Sequence, residues 1–303
     1  MKFEEFTAML VDNLKVMLLK SNNEADIMTE KLLKNNGITL TALNIRSSSE
    51  NICPTIYLEP YYREFENGRS IEEIASLIMD VRKRCTIRND VTLSKVLDES
   101  DVENNIILRI VNREKNREFL ENVPYIEFKD MAITFRRVIE VNDSGLSSSC
   151  ITNSDMVRWG LDLDTMYKVA LVNSERIFPP VIKDIFELLK GDCTCPFSDL
   201  EERPADVDEL YVMTNEYDIN GASVILYNGV LQKCADMVND DIYILPCSVH
   251  EMLFIRAHCS FDEDYLKNLV KEANKTAVTP MDFLSDSIYF YTKESGELRA
   301  IPA

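Results

Sequence analysis

The stretch Asp241-Ile-Tyr-Ile-Leu-Pro-Cys-Ser-Val-His-Glu-Met-Leu-Phe-Ile-Arg256 decides the fold. Two runs rich in aromatic and β-branched residues, Asp241–Leu245 and Glu251–Arg256, flank a Pro-led hexapeptide, so the stretch reads as two strands joined by a turn. Similar short runs lie at Leu210–Thr214, Ala222–Tyr227 and Ser287–Tyr291. Between them, Leu231–Val238 and Asp262–Asn274 read as helices. The second follows the capping-box pattern Ser260-Phe-Asp-Glu263 and carries the stripe Leu266, Leu269, Val270 and Ala273, which must be buried against a sheet. Strands grouped together, rather than alternating with long helices, predict an α+β fold with a mostly antiparallel or mixed C-terminal sheet covered by helices.

Upstream, Phe3, Phe6, Leu10, Leu14 and Met17 recur at helical spacing, so residues 2–20 form an amphipathic opening helix. Ile27–Leu33 and Ile38–Ile45 flank Asn35-Asn36-Gly37, whose residues tolerate the positive φ of a tight reversal, which predicts a hairpin. A helical block follows from about residue 55. There Ser70-Ile-Glu-Glu73 is a capping box ahead of the stripe Ile71, Ile74, Ala75, Ile78 and Val81. Val102–Val111 and Asn116–Leu120 continue the helical pattern to Pro124, and Tyr125–Val141 reads as extended. The serine-rich stretch Ser144–Ser149 is the expected interruption between halves. Met166, Val169, Ala170 and Ile177 form a helical stripe ending at Pro179-Pro180. Ile182, Ile185, Phe186 and Leu189 form another, and the acidic run Asp199–Glu209 reads as an exposed loop. The expected organisation is an N-terminal helix, hairpin and helical lobe over 1–145, a helical connector over 146–208 and an α+β lobe over 209–303, which could also form one integrated domain.

Composition narrows the function classes. The chain has 303 residues, 46% of them hydrophobic, enough to bury a full core without disulfides. Its 52 acidic and 33 basic residues give a formal net charge of -19, which repels nucleic acid and anionic membranes. The N-terminal Met-Lys-Phe-Glu-Glu-Phe lacks the basic region of a secretory signal, and no aliphatic run approaches a membrane span. A cytoplasmic location is expected, with the eight cysteines as free thiols. Only eight glycines occur and none are clustered, so no Gly-rich phosphate loop can be built.

Reactive side chains are densest at Cys247, Ser248, His250 and Glu251. A thiol or hydroxyl nucleophile needs a base within hydrogen-bond reach, and the chain offers only His250 and His258 as imidazoles. The same hexapeptide also reads as the turn between two strands, and Ser248-x-x-Glu251 as a capping box. His250-Glu251 lacks the second histidine of a zinc-protease signature, because position 254 is Phe. Cys193-x-Cys195 with His258-Cys259 is not a standard zinc spacing, so neither a metal nor a cofactor is expected. Asp162-x-Asp164 reads as a helix start with Asp164 as N-cap, and Asp206-x-Asp208 as part of the acidic loop. Tyr57, Tyr61 and Tyr62 could stack a ligand or fill the core.

One set of motifs spans the chain: Lys34-Asn-Asn-Gly37, Pro54-Thr-Ile-Tyr-Leu-Glu59 with Tyr61-Tyr62, Gly68-x-Ser70-Ile71, Arg109-Ile-Val-Asn112 with Asn116, and Tyr211-x-x-Thr214-Asn215. It continues with Gly221-Ala222, Tyr243-Ile-Leu-Pro246-x-Ser248-x-His250-Glu251, and Leu284-Ser-Asp286 with Tyr289 and Tyr291. Through these the sequence resembles the bacterial proteins of domain of unknown function 5688. The resemblance implies a chain-long unit of bacterial cytoplasm and supplies no activity. Where the family pattern is similar to a double serine after the proline, this chain has Cys247-Ser248, which counts against an essential first serine. Asn35, Glu59, Asn112, Asn116, Asn215 and Asp286 are polar residues inside these motifs, able to fix the fold or to serve a ligand. The reading favoured is a non-enzymatic binding or regulatory protein, with an unknown protein or small-molecule partner. The alternative is a small-molecule or peptide hydrolase using Cys247 or Ser248 with His250. The ligand candidates are Asn35, Tyr57, Glu59, Tyr61, Asn215 and Asp286.

Overall fold

Phe6, Leu10, Leu14 and Leu18 recur every fourth residue, and the helix they specify is α1 (Phe3–Lys20), with all four side chains buried. The computed structural model describes residues 1–20, 25–47, 53–88, 101–142, 145–189 and 208–303. Backbone contacts divide the chain into two units, Met1–Lys34 with Ile38–Glu99, and Asn35–Gly37 with Ser100–Ala303.

In the first unit, β1 (Ala25–Leu33), β2 (Thr39–Ser47) and β3 (Thr55–Tyr57) form an antiparallel sheet in that order. The β1–β2 register pairs Ile27 with Ile45, Thr29 with Leu43 and Lys31 with Thr41. Two helices follow, α2 (Glu59–Glu66) and α3 (Ile71–Arg88). The capping box read at Ser70 is present: the Glu73 N–H donates to Ser70 Oγ at 3.3 Å and the Ser70 N–H to Glu73 Oε2 at 3.0 Å. The buried face of α1 meets Leu43, Ile45, Ile56 and Leu58 together with Ile71, Ile74, Ala75 and Ile78 of α3.

The second unit contains two antiparallel sheets. The four-stranded one is built on β6 (Met131–Asn142), which pairs with β4 (Ile106–Asn112), β5 (Tyr125–Phe128) and β7 (Gly145–Cys150). Short α4 (Arg117–Leu120) lies between β4 and β5, and α5 (Asn153–Trp159) and α6 (Leu163–Ile177) follow β7. After β8 (Pro180–Asp184) and α7 (Ile185–Leu189) come β9 (Leu210–Asn215), a 3-10 turn (Gly221–Leu226) and α8 (Val230–Val238). The chain ends with β10 (Ile242–Pro246), β11 (Met252–Arg256), α9 (Glu263–Thr276), β12 (Ile288–Thr292) and β13 (Glu297–Ile301). The six-stranded sheet runs β13-β12-β10-β11-β9-β8. Successive residues of a strand point to opposite faces, and both faces are covered. Ile242, Ile244, Phe254 and Tyr289 pack with Val230, Cys234 and Ala235 of α8, whereas Leu245, Ile255 and Ile288 pack with Leu266 and Val270 of α9. The α+β class and the covered C-terminal sheet therefore stand as read.

Several elements differ from the reading. Val102–Val111 is not one helix: after a short 3-10 turn (Glu103–Asn105) its second half is β4, buried at every position except Arg109. A run buried on both faces shows no alternation, and nothing in its period separates strand from helix. The open edge of β4 is closed by hydroxyls, with the Leu108 N–H donating to Ser174 Oγ at 2.8 Å and the Ile110 N–H to Ser223 Oγ at 3.2 Å. From Gly145 on, the serine-rich stretch is strand β7, with Ser148 opposite Val138, and Ser144 lies outside the described residues. Ile182 lies in β8 rather than on a helix, and Pro180 is accommodated because β8 is an edge strand. Ala222–Tyr227 is a 3-10 turn, buried from Gly221 to Ile225, which hides its period in the same way. The caps shift too. Asp262, not Ser260, receives the Tyr265 N–H at 2.8 Å, and Asp162, not Asp164, receives the Thr165 N–H at 2.7 Å. That bond holds the Asp162 carboxyl below the ordinary range. Ser248-x-x-Glu251 caps no helix; it is the hairpin turn itself. Cys193, Cys195, Asp206 and most of the acidic run lie outside the described residues.

Candidate functional site

On the sheet of the first unit, the face that carries Ile27, Leu43 and Ile45 continues along the same alternation to Thr29, Lys31, Thr39 and Thr41. At these positions the core residues give way to polar ones. A groove of about 750 Å³ opens there, walled by Phe3, Thr7, Ala8 and Val11 of α1 and floored by the threonines, with Glu59 also lining it. Its charged lining is Glu4, Asp12, Glu30 and Glu59 against Lys15 and Lys31.

The β2–β3 ladder ends at Tyr57, and the chain then turns into α2. Leu58 donates its N–H to the Thr41 carbonyl at 3.0 Å, and the Thr41 N–H finds Glu59 Oε1 at 2.6 Å. The carboxylate thus stands in for a strand carbonyl. Its other oxygen, Oε2, is buried without a hydrogen-bond partner. An unsatisfied buried acceptor costs about 1–3 kcal/mol, and more when the group is charged. Buried polar atoms left in this condition are uncommon, and a ligand that brings a donor is one way to complete them.

The turn at Pro246–Glu251 is arranged differently from a nucleophile and its base. Ser248 Oγ accepts the His250 backbone N–H at 3.0 Å, and the N–H groups of Cys247 and Ser248 both point to the Glu251 carbonyl, at 3.4 and 3.1 Å. The imidazole is held elsewhere: Nδ1 accepts the Asn220 N–H at 3.3 Å, and Nε2 lies 3.4 Å from Asp282 Oδ1. Burial, reinforced by Glu251, pushes the Cys247 thiol up to about 12, so it is protonated near neutrality. The four side chains share a turn, but neither Cys247 Sγ nor Ser248 Oγ is placed on the imidazole. His258 is exposed and bound through Nδ1 to Asp240.

The model of the family of unknown function DUF5688 matches residues 3–293. The chain belongs to this family. No curated protein and no solved structure matches it.

In this DUF5688 member, several motif residues meet in the second unit as an amide network. The Asn36 N–H donates to Asn116 Oδ1 and Asn116 Nδ2 returns a bond to Asn36 Oδ1, both at 2.9 Å. Asn36 Nδ2 reaches the Phe283 carbonyl at 2.7 Å and Asn112 Nδ2 the Leu284 carbonyl at 2.8 Å. Asn36 sits at φ 61, a backbone region that asparagine tolerates better than most residues. Asp130 accepts the hydroxyls of Ser285 and Tyr289, and burial, then Asp130, push the Tyr289 phenol up. These groups satisfy one another, which is how buried polar networks fix a fold.

The other ligand candidates are spread out. Asn35 Nδ2 donates to the Met281 carbonyl at 2.6 Å, Asn215 binds the Tyr217 N–H and the Ile219 carbonyl in a local turn, and Asp286 accepts from Asn274 at 2.8 Å. Tyr57 lies under Lys34 Nζ at 4.6 Å, and Tyr61 and Tyr62 pack against the core of the first unit. Of the six, Glu59 lines the groove. The groove threonines and Lys31 were missed. The signal for them is positional, since they are polar residues at the parity of Leu43 and Ile45. Arg109 carries another orphan: its Nε is buried without a partner, and desolvation, then the charge of Arg136, lower its pKa to about 10.

Proposed function

We propose that this chain is a non-enzymatic binding protein of the bacterial cytoplasm, and that its ligand enters the groove between α1 and the first sheet. The observation that carries the reading is Glu59, whose carboxylate is tied to Thr41 by one oxygen and left unpaired at the other beside a groove large enough for a small molecule. The polar substitution of core positions supports it, because Thr29, Lys31, Thr39 and Thr41 stand where a sheet of this kind ordinarily carries apolar residues. The free thiols of Cys53, Cys150, Cys234, Cys247 and Cys259 suit a reducing compartment. The charge of -19 disfavours nucleic acid as the partner.

The test is a thermal-shift screen of a metabolite library on the wild type and on Ala8→Trp. Ala8 is an exposed residue on the groove wall, so the indole fills the groove without disturbing the core. A ligand at a hundred times its Kd stabilises the state it binds by about 2.7 kcal/mol, a shift of several degrees. Compounds that stabilise the wild type, lose their effect on Ala8→Trp and are recovered chemically unchanged support the reading. Stabilisation that survives the plug, or turnover of a bound compound, contradicts it.

A further inference from the structure

Resting on the reading of the groove as a ligand site, we infer that the ligand presents a cationic nitrogen, an ammonium group on a short apolar stem, to Glu59. Among the described residues, no group of this unit donates to Glu59 Oε2. The Thr41 N–H is on Oε1, the Thr7 hydroxyl donates back to the Phe3 carbonyl at 2.9 Å, and Lys15 lies 3.8 Å from Asp12. Lys31 and the hydroxyls of Thr29, Thr39 and Thr41 line the same groove, and none of them is bonded to Glu59 Oε2.

Charge selects the kind of donor. Four carboxylates line the groove against two lysines, in a chain whose formal charge is -19, so the local potential favours a cation. A charge-assisted bond from an ammonium to a carboxylate in a partly desolvated site is stronger than one from a neutral hydroxyl. The rest of the wall suits a stem. Phe3, Ala8 and Val11 present apolar surface along α1, where a chain of a few methylenes can lie. A neutral alcohol of the same length fills the same space but forms the weaker bond to Oε2, and a carboxylate of that length meets like charge.

The experiment uses the full chain and three probes of matched length, n-pentylamine, 1-pentanol and pentanoate, titrated by calorimetry into the wild type and Glu59→Gln. The glutamine keeps an oxygen for the Thr41 N–H, and circular dichroism verifies that the variant folds. The expected result is saturable binding of the amine alone, weakened about tenfold to a hundredfold by Glu59→Gln. A pentapeptide with a central unmodified lysine, blocked by acetylation at its N-terminus, is the fourth probe. Tighter binding than pentylamine assigns the ammonium to a protein side chain, and weaker binding to a free amine. Should Glu59→Gln fail to fold, loss of amine binding in Ala8→Trp serves in its place. Equal binding of amine and alcohol, or amine binding indifferent to both variants, overturns the inference. A library ligand that is displaced by Ala8→Trp and carries no cationic nitrogen overturns it too, while leaving the groove reading intact. Failure of every library compound to bind removes the groove reading itself.

Discussion

Gly221→Ala is the substitution with the sharpest expected consequence. A Cβ built on Gly221 comes within 2.2 Å of the His250 carbonyl oxygen and within 2.2 Å of Thr214 Oγ1, with the Thr214 Cα at 3.1 Å. Both near atoms belong to one hydrogen bond, from the Thr214 hydroxyl to the His250 carbonyl at 2.9 Å. The hydroxyl can rotate away, which forfeits that bond at about 0.5–1.5 kcal/mol. The carbonyl cannot rotate, because it belongs to the β10–β11 turn. The turn or the 3-10 segment must then shift by about 1 Å, and overpacking of this kind costs about 1–3 kcal/mol. The two terms give a loss of about 2–4 kcal/mol, or roughly 5–12 °C in Tm for a unit of about 200 residues. Urea unfolding followed by circular dichroism measures it. Thr214→Ala in the same chain removes one of the two contacts, so the double variant should be more stable than the sum of the singles implies. A Gly221→Ala protein within about 0.5 kcal/mol of the wild type would refute the close approach of these three backbone segments.

Three further outcomes follow from the second unit. Ser174→Ala leaves the buried Leu108 N–H without its acceptor and should cost about 1–3 kcal/mol in the same assay, whereas Ser174→Thr should recover part of the loss. Asn116→Ala removes both bonds to Asn36 and should cost about 2–4 kcal/mol, with faster hydrogen exchange at the Asn36 amide as the local readout. Cys247, with its thiol pushed up to about 12, should react with iodoacetamide near pH 8 about a thousandfold more slowly in the folded chain than in urea, as peptide mass mapping would show. The sign for stability is set by proton binding. The folded state holds the Cys247 proton more tightly than the unfolded state, so this contribution to stability is lost as pH rises from about 9 to about 12. In Cys247→Ser that part of the alkaline slope should disappear.

Elements that carry a one-faced stripe, a cap or a turn signal were legible in the sequence, and mostly apolar runs without one were not. The leucine stripe of α1, the capping box at Ser70 and the Pro-led turn between β10 and β11 are signals that survive without tertiary information. Ile106–Asn112 and Gly221–Leu226 are mostly apolar and buried, and only their neighbours decide between strand, helix and turn. Strand β8 runs directly into α7, so Ile182 and Ile185 fall at helical spacing and read as one stripe. For the candidate site, Glu59 was visible as a polar residue inside a motif. Its place beside a groove was not, because the groove depends on the pairing of Lys31 with Thr41 across β1 and β2. The cluster at Cys247–Glu251 drew the eye by composition. The turn spends Ser248 Oγ on its own backbone and directs the His250 imidazole to Asn220 and Asp282.

Threonine-selective amide spectroscopy tests the central claim most directly. The Thr41 N–H is bonded to Glu59 Oε1, so any donor that engages the same carboxylate polarises that bond and moves the Thr41 resonance. With 15N-threonine labelling, titration of n-pentylamine into the wild type should move Thr41 most, and Thr39 and Thr29 less, along one saturable curve whose midpoint Glu59→Gln raises about tenfold to a hundredfold. A Thr41 resonance that stays fixed while threonines outside the groove respond, or a response unchanged in Glu59→Gln, would contradict binding at this carboxylate.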